Sequence, residues 1–336
     1  MAQISLAQVP KVSSQALLGL RKLRSVVGLI AIILIAVVIS PTAHDGSNIF
    51  LQPGNLTDIL RQISVIGIIA LAMTYVILTG GIDLSVGSIL ALATSVMAMF
   101  VTRPGPGNLF LHVTLAVCVA AGASALVGFA NGITISALRI PAFIVTLASM
   151  IGVRGLARWI TNNENVDIGF GADAAAQFAA VVSQKVITVG AFAVLAIIFW
   201  LVLERTVFGR YVRAIGDNEK AGRYTGLPIH RVKICVYTLT GLLTGIAGVI
   251  YAAENHQGNP NAGVAYELDA IAAVVIGGTS LAGGSGSISG TIVGTLIIGV
   301  LTNILRLENI DSNVEMIVKA VIIVLAVAVQ KSQKKT

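Results

Sequence analysis

Apolar runs about 20 residues long follow one another almost without pause through these 336 residues, and only Leu203 to Lys233 reads as a sustained polar stretch. Runs of that length match the roughly 30 Å hydrocarbon core that an α-helix must cross. With 56% hydrophobic and 11% charged residues, the chain has too few charges to solvate a globular surface, since soluble domains carry about 25% charged residues. The expected fold is all-α: a polytopic membrane protein of about ten transmembrane helices with short broken or re-entrant segments. The spans fall at about 25–41, 57–79, 84–102, 112–137, 141–160, 185–203, 232–253, 267–282, 286–305 and 314–330. Arg21, Lys22 and Arg24 before the first run, and Pro41-Thr42-Ala43 after it, resemble a signal peptide, but a retained first span is simpler.

Charge fixes the expected orientation. The polar stretch carries seven Lys/Arg against three Asp/Glu, and basic residues are retained on the cytoplasmic side during insertion. With both termini cytoplasmic, 15 Lys/Arg fall inside and 7 elsewhere, whereas the acids distribute 4 to 11. The expected organisation is a cytoplasmic segment 1–24, a membrane domain 25–330 that includes a cytoplasmic loop 204–233, and a cytoplasmic tail 331–336. The net charge of +7 follows from this topology; no basic run is interleaved with aromatics, so nucleic acid is not an expected partner. Cys118 and Cys235 sit inside apolar runs, where packing is the plain reading.

The glycines carry more information. Gly241 to Gly248 suits a seam of close helix approach. Gly80-Gly81-Ile82-Asp83-Leu84-Ser85 and Gly277-Gly278-Thr279-Ser280-Leu281 each break an apolar run, and at an offset of 197 they match at Gly80, Gly81, Leu84, Gly87 and Ser88. Duplication and coincidence between two glycine-rich turns both fit. Irregular backbone at membrane depth is tolerated only inside protein or beside water, so both breaks point inward. Asp83 reads as part of a gate or a subunit contact, or as a cap for the helix beginning near Leu84, with Ser85 assisting.

Asn131, Thr146, Ser149, Thr302 and Asn303 lie within apolar spans as pathway candidates or as interhelical hydrogen bonders. Arg61, Arg103, Arg154, Arg158 and Arg306 stand toward outer span ends, for snorkelling or for pairing with acids on an extracytoplasmic partner. Asp83, Glu267, Asp269 and Lys319 are expected near span ends, which disfavours the ionisable midplane relay of an ion-coupled secondary transporter, the alternative reading. Between Asp217 as N-cap and Gly226 as C-cap the loop should form a helix of about two turns, too short to stand without a surface to pack on. The chain contains no phosphate-binding Gly-x-x-x-x-Gly-Lys-Ser/Thr loop, and its four histidines and two cysteines show no metal-ligand spacing, so neither catalytic residues nor a metal site is expected.

Several blocks together resemble the membrane permease subunits of ribose-type carbohydrate ABC importers, relatives of branched-chain amino-acid permeases. They are Thr79 to Ser88, Asn131-Gly132, Ile140 to Leu147, Arg154-Gly155, Phe208 to Arg210, Ala214 to Glu219, Tyr266 to Gly284 and Met316 to Ile322. The resemblance implies a homodimeric pore in the bacterial inner membrane, two cytoplasmic ATPase subunits that use ATP and Mg²⁺, and a periplasmic sugar-binding protein delivering a small sugar, with no cofactor on this chain. It also implies that Gly216, Asp217, Asn218, Glu219, Lys220, Ala221, Arg223, Tyr224, Thr225 and Gly226 form the segment that couples to the ATPase.

Overall fold

The computed structural model describes residues 14–105, 108–171 and 173–332. The segment 333–336, most of the expected tail, and residues 1–13 of the expected N-terminal segment lie outside these. The elements in order are α1 (Ser14–Ile39), α2 (Pro53–Leu78), α3 (Val86–Val101), α4 (Leu109–Ala137), α5 (Ala142–Ile160), β1 (Val166–Asp167), α6 (Ala174–Val182), α7 (Lys185–Arg205), α8 (Val207–Asp217), α9 (Glu219–Tyr224), α10 (Ile229–Asn255), β2 (Gln257–Gly258), α11 (Tyr266–Ile276), α12 (Ile288–Leu307) and α13 (Ser312–Ser332). Each expected span holds a helix, and six helices, α2, α4, α5, α7, α10 and α12, are long and apolar enough to cross a bilayer.

Helices α2, α10 and α12 are mostly buried, whereas α4, α5 and α7 turn most of their apolar surface outward. Phe110, Trp159 and Val186 are each about four-fifths exposed, a display suited to lipid or a protein partner rather than water. Cys118 and Cys235 are exposed on such outer faces rather than packed inside.

The glycine seam is real. A Cβ on Gly241 would collide with the Ser124 carbonyl and meet Gly128 Cα at 3.1 Å, so α10 and α4 touch backbone to backbone. In lipid, where helices gain no hydrophobic drive to associate, such contact replaces it with dispersion. Hydrogen bonds tie the rest: Thr74 Oγ1 and Thr291 Oγ1 lie 2.7 Å apart between α2 and α12, and Tyr75 Oη donates to the Phe199 carbonyl at 2.5 Å. Ser25 Oγ donates to the Ile276 carbonyl at 3.0 Å, fastening α1 to the end of α11.

Loops 79–85, 138–141, 206–228 and 277–287 gather at one end of the bundle, called here the basic face. At the far face, β1 pairs antiparallel with β2, and α6 packs over α4 and α10.

The expected helical span 267–282 is helical only through α11, which stops at Ile276; the remainder, 277–282, is the second glycine break. Ahead of α11, residues 259–265 run along α3 as a series of turns: Thr94 Oγ1 donates to the Asn259 carbonyl at 3.0 Å and accepts from its N–H at 3.2 Å, and Gly263 abuts Gly87 near the start of α3. The segment thus descends from the far face nearly the full length of α3 before turning through Ala265 (φ +68°) into the short helix α11. Irregular backbone here is satisfied by protein, as a bilayer demands.

Candidate coupling site and vestibule

The basic segment forms two helices, not one. In α8, Phe208, Val212 and Ile215 recur at helical spacing; Val212 and Ile215 are buried while Arg210 is exposed, so the helix lies with one face on the bundle. Thr206 caps it, its Oγ1 accepting from Gly209 N at 3.3 Å. Asp217 is the last residue of α8, not the N-cap of the next helix. That cap is Asn218, whose Oδ1 accepts from Ala221 N at 2.9 Å. Gly226, at φ +77°, closes α9: its N–H donates to the Arg223 carbonyl at 3.2 Å and Leu227 N–H donates to the Gly222 carbonyl at 3.0 Å, a Schellman ending that favours glycine.

Salt links hold α9 to α10. Glu219 pairs with Lys233 at 2.7 Å and Arg223 at 3.3 Å. Burial raises the Glu219 carboxyl, but the Lys233 hydrogen bond and the charges of Lys233 and Arg223 outweigh it and hold the group below its usual range. Lys220, Ala221, Arg223, Tyr224 and Thr225 face outward, with Tyr224 90% exposed.

The C-terminal end of α8 sits on both glycine breaks. A Cβ on Gly216 would strike the Leu78 carbonyl and Gly284 N; one on Gly284 would strike the Asp217 carboxylate. Gly284 N–H donates to the Leu78 carbonyl at 3.0 Å, joining the two breaks directly. Helices α2 and α11 end alike: Gly80 N–H donates to Ile77 O and Gly81 N–H to Val76 O, as Gly278 does to Val275 O and Thr279 to Val274 O. The structural equivalence is therefore Gly80 with Gly278, an offset one residue from the matching letters. The turns share a geometry that the letter match does not overlay.

Asp83 is fully buried at the first break. Its Oδ1 accepts from Ser85 N at 2.9 Å and Ser85 Oγ at 2.5 Å, so it caps the turn ahead of α3 while Ser85 holds the N-cap position. Asn131 donates to Ser85 Oγ at 3.1 Å, and Thr146 Oγ1 donates to the Ile82 carbonyl at 3.2 Å, which brings three of the sequence-selected residues to one turn. Asp83 Oδ2 and Tyr237 Oη are buried with no hydrogen-bond partner among the described residues. Sequence reasoning missed Tyr237; the contact of its hydroxyl with Gly81 is long-range and leaves no local signal. Ser149 lies half-buried one turn further along α5.

The other selected residues lie toward the far face. Asn303 exchanges amide hydrogen bonds with Asn55 at 2.8 and 3.1 Å. Arg154 donates to the carbonyls of Pro260 (3.2 Å) and Ala262, and Arg158 donates to Asn261 Oδ1 at 2.9 Å, so both contact the turns of 259–265. Arg103 is exposed. Arg61, Thr302 and Arg306 line a cavity of about 580 Å³ between α2, α10, α11, α12 and α13. Glu267, Asp269 and Lys319, expected near span ends, are placed deeper: both acids occupy the first turn of α11, where the turns of 259–265 deliver them, and Asp269 meets Lys319 at 3.1 Å.

A bundle of apolar helices with buried backbone breaks and an external basic lever is the build of a transport permease. Residues 55–327 match the family described as branched-chain amino acid transport system / permease component, and the chain belongs to it. It is similar to the ribose import permease protein RbsC of Escherichia coli K12, 42% identical over 316 residues, 93% of this chain and 94% of the relative. RbsC of Bacillus subtilis 168 is 40% identical over 320 residues, 94% of each. The fructose import permease FrcC of Rhizobium meliloti is 36% identical over 293 residues, 85% of this chain and 80% of the relative. No solved structure matches the chain. As a permease component it shapes a passage, and ATP hydrolysis belongs to a separate subunit.

Proposed function

We propose that this chain is the membrane-spanning subunit of an ATP-driven importer that passes a neutral monosaccharide, ribose or a similar pentose or hexose, into the cytoplasm by alternating access. The observation that carries this reading is the seating of α8 on both glycine breaks. Glycine-to-backbone contacts have no side-chain rotamers to absorb a displacement, so a push on Asn218 to Gly226 reaches the ends of α2 and α11 together. ATP and Mg²⁺ act at partner ATPase subunits. Lys220, Arg223, Tyr224 and Thr225 present the contact to a groove on such a subunit.

The relatives named for ribose and fructose import support a sugar as cargo. A binding protein delivers it at the far face, where Arg103 and Arg158 are exposed for docking. The basic face is cytoplasmic, in a bacterial inner membrane, by the positive-inside tendency. A second copy covers Val264 and Leu268, which are 68% and 51% exposed beside the re-entrant segment, a place where lipid is a poor neighbour.

Replacing Gly216 to Gly226 with a flexible linker tests coupling. The variant should insert and lose uptake of D-ribose by the complete transporter; normal uptake would remove the lever's role.

A further inference from the structure

The cavity beside α11 is built unlike a packing network. Six charged side chains line it, three cations (Arg61, Arg306, Lys319) and three carboxylates (Glu254, Asp269, Glu315). Lys319 pairs with Asp269 at 3.1 Å and Glu315 at 2.9 Å, Arg306 lies 3.8 Å from Glu315, and Arg61 lies 4.0 Å from Glu254. Thr302 Oγ1 donates to Glu315 at 2.9 Å. Paired charges held only for packing would close on one another, yet here about 580 Å³ stays open, within the range of roughly 300–1,000 Å³ typical of small-ligand sites.

Two further features give the space a chemistry. Tyr251 and Tyr266 stand edge to face with ring centroids 6.2 Å apart and supply aromatic wall. Glu254 Oε1 is buried without a hydrogen-bond partner among the described residues, and such an acceptor is costly unless a donor arrives. Because the lining charges cancel, an ion entering would bring a charge that no lining group is left to compensate. A neutral polyol brings hydroxyls that both donate and accept, suited to carboxylates and guanidinium groups alike, and carbon faces suited to tyrosine rings.

We infer that this cavity is a binding site for a neutral monosaccharide within each copy of the permease, with Glu254 and Tyr266 as contact residues. The inference rests on the proposed import function and assigns to it a place where the solute pauses beside the half-helix α11.

Alkylation protection tests it. Asn255 lines the cavity and is exposed at the far-face end of α10, so Asn255→Cys, in a chain also carrying Cys118→Ala and Cys235→Ala, reports occupancy in nanodiscs through its reaction with a charged methanethiosulfonate. D-Ribose, L-arabinose or D-fructose should slow labelling about tenfold once present at about ten times its dissociation constant, while leucine and glucose 6-phosphate leave the rate unchanged. Glu254→Gln and Tyr266→Ala should each abolish protection; if Tyr266→Ala fails to assemble, the near-isosteric Glu254→Gln decides. No protection by any of the three sugars, equal protection by leucine, or full protection in Glu254→Gln overturns the site. ATP-driven uptake by the wild-type complex is read separately. Uptake without protection sinks only this site, and protection without uptake sinks only the import function.

Discussion

Single residues at the basic face decide whether the lever can sit down. Gly216→Ala forces a methyl group into the Leu78 carbonyl and Gly284 N; because backbone cannot rotate aside, the overpacking costs about 1–3 kcal/mol and should abolish sugar uptake in a chain that still inserts. Gly222→Ala is the control: its nearest neighbour is the flexible Leu227 Cδ1 at 3.2 Å, and uptake should stay near wild type. Glu219 sets a pH limit. Its carboxyl titrates below the usual value, so the clamp to Lys233 is intact at neutral and mildly acidic pH and is lost as pH falls through that lowered value, below about 4.5. Hydrogen exchange in α9 should therefore match at pH 7.5 and 5.5 and rise only once pH is taken below about 4.5, after correction for intrinsic rates, while Glu219→Gln should raise it at pH 7.5. Gly226 as a helix stop was legible, because few residues besides glycine take a positive φ. The choice of Asn218 over Asp217 as cap was not, since either side chain can accept the same hydrogen bond.

At the scale of elements, the stretch around α11 was the hardest to read. Residues 259–265 fall outside the expected span 267–282, because Asn259, Pro260, Asn261 and Gly263 read as a loop. That this loop enters the bundle is a long-range matter: Thr94 on α3 and Arg154 on α5 supply the hydrogen bonds that hold it there. Arg154→Ala should orphan the carbonyls of Pro260 and Ala262 at about 1–3 kcal/mol each, lowering the thermal unfolding temperature of the purified chain. Arg158→Ala, whose guanidinium is exposed and among the described residues bonds Asn261, should leave it nearly unchanged. An Arg154→Ala protein of wild-type stability that binds the sugar-binding protein weakly would instead make Arg154 a docking residue. By contrast α8 was legible in Phe208, Val212 and Ile215, a helical period hidden by reading the loop from its charges alone.

For the whole molecule, hydropathy located the spans and charge located the basic face, because both are local sums along the chain. The meeting of two glycine breaks with one loop was not visible, since Leu78, Gly216 and Gly284 are far apart in sequence and touch only after the bundle closes. The same closure leaves Val264 and Leu268 uncovered. Leu268→Arg should shift the detergent-solubilised permease from dimer to monomer by light scattering; an unchanged dimer would place the contact elsewhere. The buried Asp269–Lys319–Glu315 group is a feature an ion-coupled carrier would also use, so the source of energy is the decisive quantity. It is measured by D-ribose accumulation in proteoliposomes holding this chain, with and without its ATPase and binding-protein partners. Accumulation only with both partners and ATP is the predicted result, and accumulation by the chain alone under a proton gradient would contradict it.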